Sequence, residues 1–171
     1  SCAKALHAFN PDLVVVFGPD HFNGFFYELM PAFCIGTAAE GTKDWHLESG
    51  PLRVPRELAL NCVRFLQGKD FDVAISHQMK VDHGITIPLY KLTGGLDRYP
   101  VLPVFINCAA DPRPSFRRVR AFGEAPDRVD AIHPAGTPPF MLLGFAKERM
   151  LVEKWQRAYD IPVFTSGMNQ V

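Results

Sequence analysis

Two histidines follow short turns that end apolar runs. His21 closes Gly18-Pro19-Asp20-His21 after the run Leu13-Val14-Val15-Val16-Phe17, and His83 lies in Val81-Asp82-His83-Gly84 after residues 71–76. Imidazole is the commonest nitrogen ligand for iron and zinc, and a ligand needs rigid delivery of this kind. An imidazole that titrates near neutrality can also move protons at a phenol or a peroxide. Read in isolation, His21 fits the commoner role of a loop residue hydrogen-bonded to Asp20 or water, and His83 that of a polar loop residue beside Asp82. His7, His46, His77 and His133 have weaker contexts, and the first three read as surface or hydrogen-bonded residues. Phe22, Phe25, Phe26, Tyr27 and Phe33 fit the wall of an aromatic-substrate pocket or, more commonly, core.

Delivering these histidines requires strands. Residues 13–17 are five consecutive apolar residues rich in Val, the pattern of a strand buried on both faces of a mainly parallel sheet. His21 would then lie at a carboxyl strand end, where open α/β sheets bind ligands. Upstream, residues 6–9 read as the tail of an amphipathic helix stopped by Asn10-Pro11-Asp12. Residues 22–50 read as a long functional loop or hairpin. Apolar positions at Leu58, Ala59, Cys62, Val63 and Leu66 have helical period, with Pro55 near the first turn and Gly68 as cap. Residues 71–76 make a second strand, and a helix starts at about residue 85, limited upstream by Pro88. Residues 101–107 are a third apolar run, in which Pro103 argues for an edge or a bulge. Residues 113–121 are basic and helical. Beyond residue 128 the order is strand 129–132, loop 133–139, helix 140–159 and strand 161–164. The fold class expected is α/β, a mainly parallel sheet flanked by helices, as a partial domain.

The 171 residues, 47% of them hydrophobic, suffice for one domain with a core. Eighteen basic residues balance eighteen acidic ones, so no electrostatic footprint for nucleic acid or an anionic membrane is present. Small molecules or further copies of the chain are the expected partners. Cys2, Cys34, Cys62 and Cys108 have no C-x-x-C spacing, and no run is long enough to span a bilayer. They read as buried apolar residues in a reducing cytoplasm.

Three strings carry a family resemblance. They are residues 13–27, from Leu13-Val14-Val15-Val16-Phe17 through Pro19-Asp20-His21-Phe22-Asn23-Gly24-Phe25-Phe26-Tyr27; Gln78-Met79-Lys80-Val81-Asp82-His83-Gly84; and residues 94–107, Gly94-Gly95-Leu96-Asp97-Arg98-Tyr99-Pro100 through Asn107. In collinear order over residues 1–125, they resemble the class III extradiol ring-cleavage dioxygenases. The resemblance implies an Fe(II) centre of two histidines and one carboxylate that binds a catechol and O2 and opens the ring beside the diol. It implies His21 as a metal ligand and His83 as the catalytic acid–base residue, with a homo-oligomer as a family-level expectation. The resemblance places a first iron histidine before Ser1 and a carboxylate ligand and second catalytic histidine far downstream. The chain is therefore expected to be a fragment that binds iron weakly and does not turn over alone.

The final quarter carries another resemblance. Ala131-Ile132-His133-Pro134-Ala135-Gly136-Thr137-Pro138-Pro139-Phe140-Met141 and Ile161-Pro162-Val163-Phe164-Thr165-Ser166-Gly167 are similar to the aspartate/glutamate racemase superfamily of the maleate isomerase and arylmalonate decarboxylase type. It implies carboxylate binding by Thr137, Thr165 and Ser166, without the cysteines that family uses, since none follows Cys108. The expected division is residues 1–125, dioxygenase-derived, and residues 129–171, racemase-like. The alternatives are an isomerase or decarboxylase of small dicarboxylates and a catalytically inactive remnant.

Overall fold

The computed structural model describes residues 2–45 and 49–125, with residues 150, 153, 154, 156 and 157. Its elements are helix α1 (Cys2–Phe9), strands β1 (Val14–Gly18), β2 (Phe33–Gly36), β3 (Ala39–Gly41) and β4 (Gly50–Pro51), helix α2 (Arg56–Gln67), strands β5 (Ala74–Ser76) and β6 (Met79–Val81), helix α3 (His83–Thr93), strand β7 (Val101–Ile106) and helix α4 (Phe116–Glu124). His46, His133, Thr137, Thr165, Ser166 and the strand, loop, helix and strand expected over 129–164 lie outside the described residues, apart from the few helical positions between 150 and 157.

A four-stranded sheet has the order β1-β7-β2-β5, and a three-stranded sheet the order β4-β3-β6. Both are mixed. β1–β7, β2–β5 and β3–β6 are parallel, whereas β2–β7 and β3–β4 are antiparallel. The larger sheet sorts its side chains by the two-residue period of a strand. Val16, Cys34, Val101 and Phe105 join Ile85 and Leu89 of α3 on one face. Phe33, Ile35, Leu102 and Val104 join Ala59, Val63 and Leu66 of α2 and Phe122 of α4 on the other. Helices therefore cover both faces of the sheet.

Three expectations are corrected. β1 is only half-buried, because among the described residues it pairs on one side alone, with β7. β7 is a central strand despite Pro103. The N–H groups of Val101 and Asn107 donate to Arg53 and Ala32, so the Pro103 nitrogen faces that same side. There the register with β2 ends at Ile35↔Val104, so the proline removes no bond from that ladder. Residues 22–50 are not loop throughout: β2 and β3 lie within them and β4 begins at Gly50, with β3 and β4 forming an antiparallel hairpin. β2 offers only Phe33-Cys34-Ile35 as an apolar signal, yet all its residues are buried.

Local chemistry sets the helix that positions the site. α3 starts at His83, earlier than Pro88 suggests, because Asp82 caps it: its carboxylate accepts the Gly84 N–H. Gly94 ends it in the left-handed region at φ 81°, its N–H donating to Tyr90. α2 begins after Pro55 as expected, and Gly68 caps it, with φ −66° rather than left-handed. Residues 113–115 precede α4, whose N-cap is the Ser115 hydroxyl.

Two glycines bring β1 and α3 together. A Cβ on Gly18 would lie 2.4 Å from Ile85 Cγ1, and one on Gly84 would lie 2.9 Å from Pro19 Cγ. Only hydrogen at both positions lets the end of β1 meet the start of α3.

Candidate metal and acid–base site

His21 follows β1, and its loop is organised by Asp20. This buried carboxylate accepts backbone N–H groups from Asn23 at 3.1 Å, Gly24 at 2.9 Å and Phe25 at 3.1 Å. Asp20 is thus fully occupied with the loop. The partner of His21 is Asp82, 61 residues away: one oxygen, Oδ2, accepts both the His21 backbone N–H at 2.6 Å and ring Nδ1 at 3.0 Å. The same oxygen accepts from Asn23 Nδ2 at 3.1 Å. Asp82 has no exposed surface, and each of its oxygens is bonded, so it ties the end of β1 to the start of α3.

His83, the first residue of α3, is held in the same way by a different carboxylate. Asp44 Oδ2 accepts the His83 N–H at 3.1 Å and pairs with ring Nδ1 at 2.5 Å. Burial would raise the Asp44 carboxyl. The His83 ring and backbone bonds, the His83 charge and the Thr42 hydroxyl outweigh burial and hold it below the ordinary aspartate value.

The His21 and His83 rings stack at 4.2 Å with 16° between their planes. His21, Asp82 and His83 each bring one ligand-capable atom within 4.8 Å of the others. The donor set of imidazole nitrogen and carboxylate oxygen suits a divalent first-row metal. Since the Asp82 oxygens are already bonded, the ring nitrogens offer the open lone pairs. With Nδ1 donating to a carboxylate, Nε2 is the unprotonated atom of each neutral ring. The His21 side chain is 45% exposed and that of His83 21%, so ligand can reach both.

The two histidines singled out in the sequence are thus neighbours in space. Asp44 had no signal beyond being an acid in a polar stretch. Asp82 was visible only as a neighbour of His83, and its bond to His21 is tertiary. The aromatic set divides: Phe33 is core, Phe25 stacks on Phe105 at 4.2 Å, and Phe22, Phe26 and Tyr27 are exposed. Trp45, also exposed, lies 5.3 Å from the His83 ring. His7 bonds the Tyr99 hydroxyl at 2.9 Å and His77 bonds Thr37 at 2.7 Å, so both are satisfied away from the site.

Carboxylate-held histidines at the end of a strand and the start of a helix form, with Asp82, a donor set that could hold a metal ion. Residues 1–131 match the catalytic LigB subunit of aromatic ring-opening dioxygenase, and the chain belongs to that family. It is 52% identical over 120 residues to a 2,3-dihydroxyphenylpropionate/2,3-dihydroxicinnamic acid 1,2-dioxygenase of Pseudomonas putida, covering 70% of this chain and 38% of that protein. The like-named enzyme of Cupriavidus necator is 54% identical over 123 residues, 72% of this chain and 39% of its own. That of Mycolicibacterium vanbaalenii is 47% identical over 158 residues, 92% of this chain and 46% of its own, a match that runs past residue 125. The chain spans less than half the length of these relatives. No helix among the described residues is long and apolar enough to cross a membrane.

Proposed function

We propose that the chain carries part of the active site of an iron(II)-dependent extradiol dioxygenase, with His21 as a metal ligand and His83 as the acid–base residue. The observation that carries this reading is the stacked His21–His83 pair, each ring fixed through Nδ1 by its own carboxylate. The substrate class is a catechol with a carboxylated side chain, as the names of the relatives suggest, with O2 as co-substrate. Bound iron(II) would supply Lewis acidity and a place for catechol and O2 together. The chain's own residues do the rest. Asp82 holds the His21 ring so that Nε2 is the ligand atom, and His83 Nε2 can take a proton from a catechol hydroxyl and return it. A mainly parallel sheet in the complete domain, a homo-oligomeric assembly without nucleic acid or membrane partners, and a cytoplasmic site of action belong to the same proposal.

Anaerobic iron(II) titration followed by a catechol assay for the yellow ring-opened product tests this reading. Iron binding that His21→Ala weakens by about 10-fold or more is expected. Binding indistinguishable between the two would overturn it. For residues 129–171 the racemase-like reading rests on sequence strings alone, and proton exchange or decarboxylation of small diacids would support it.

A further inference from the structure

We propose that Asp44 is the positioning residue of His83, fixing which ring nitrogen carries the proton and which is free to exchange one. The inference rests on the acid–base role given above to His83, but the geometry that carries it is independent of any metal.

One oxygen of Asp44 takes both N–H groups of His83, the backbone at 3.1 Å and ring Nδ1 at 2.5 Å. Asp82 Oδ2 makes the same pair of contacts to His21, at 2.6 and 3.0 Å. The two stacked rings are therefore each clamped by the same device. Gripping a backbone N–H and a ring nitrogen with one atom leaves neither side-chain torsion free. Asp44 is itself placed by the small sheet. The Thr42 N–H donates to Val81 O at 2.8 Å, continuing the β3–β6 pairing, and the Thr42 hydroxyl donates to Asp44 Oδ1 at 3.3 Å. The side chains of His83 and Asp44 are only 21% and 14% exposed, so water competes little for the bond. An ionised carboxylate only accepts, which makes Nδ1 the donor and leaves the lone pair on Nε2. Without Asp44, no other hydrogen bond to the ring among the described residues selects a tautomer; His21 and Trp45 touch it face-on or tilted.

Long-range 1H–15N spectra of the histidine-labelled chain, metal-free and at a pH where the imidazoles are neutral, test the proposal. Wild-type His83 should show a single Nδ1–H tautomer. Asp44→Ala should give the averaged pattern of two tautomers, and Asp44→Asn, with its amide oxygen held under the His83 backbone N–H in place of Oδ2 and its NH2 turned to the Thr42 hydroxyl, should keep the Nδ1–H pattern. The His21 signals, held by Asp82, should stay in place in both variants. An averaged or Nε2–H pattern in the wild type overturns the proposal, as does an Asp44→Ala spectrum like the wild type or an Asp44→Asn spectrum no better than Asp44→Ala. Should Asp44→Ala not fold, the wild-type and Asp44→Asn spectra decide. Because no iron is present, failure here is separate from failure of the metal-site reading.

Discussion

Asp82 shows how much one residue can carry in this chain. It caps α3, holds the His21 ring and precedes His83, all from a side chain with no exposed surface. Asp44 is its counterpart on His83 and has a consequence for pH. Its carboxyl titrates lower in the folded chain than in the unfolded one. The stability it contributes is thus present above the ordinary aspartate range and is lost as pH falls through the depressed value. Urea denaturation at a series of acidic pH values should show wild type losing stability more steeply than Asp44→Asn; parallel curves would refute this. The thiols make a second prediction at this scale. Burial pushes Cys34 up to about 12, whereas Cys108 is exposed. A thiol reagent at mildly alkaline pH should label Cys108 in the native chain and reach Cys34 only on unfolding. Labelling of Cys34 at the rate of Cys108 would contradict its burial.

At the scale of elements, the contact between β1 and α3 decides whether the two histidines meet. Gly84→Ala would push a methyl group against Pro19. Overpacking of that kind costs about 1–3 kcal/mol. The thermal midpoint should fall and His21 and His83 should move apart, visible as shifted ring signals. A variant with wild-type stability and unchanged ring signals would show that the close approach is dispensable. Behind the opposite face of the sheet, Phe122 stacks on Phe33 at 4.2 Å and is 2% exposed. Phe122→Ala should cost about 3–5 kcal/mol in denaturant melts without altering the histidine tautomers. Legibility follows the same elements. β1, α2 and the turn before His83 were readable because a Val run, a helical apolar period and Asp-His-Gly are local signals. β2 and β3 were not, because each is short and owes its burial to neighbours far away in sequence. The central place of β7 was hidden by Pro103, whose cost depends on which side of the strand its nitrogen faces.

At the scale of the whole, helices over both faces of the mixed four-stranded sheet hold the site beside its β1 edge among the described residues. The sequence pointed to His21 and His83 through their flanking motifs, while their carboxylate partners, 61 and 39 residues distant, needed the fold. These two rings are proposed to share one metal and proton-transfer site. The most direct test is anaerobic iron(II) titration followed in the 1H–15N spectra of the histidine side chains. Paramagnetic broadening should reach His21 and His83 first and together, ahead of His7 and His77, and should vanish at His83 in His21→Ala. Broadening that starts at other histidines, or that persists at His83 unchanged when His21 is replaced, would show that the two rings do not share a metal site.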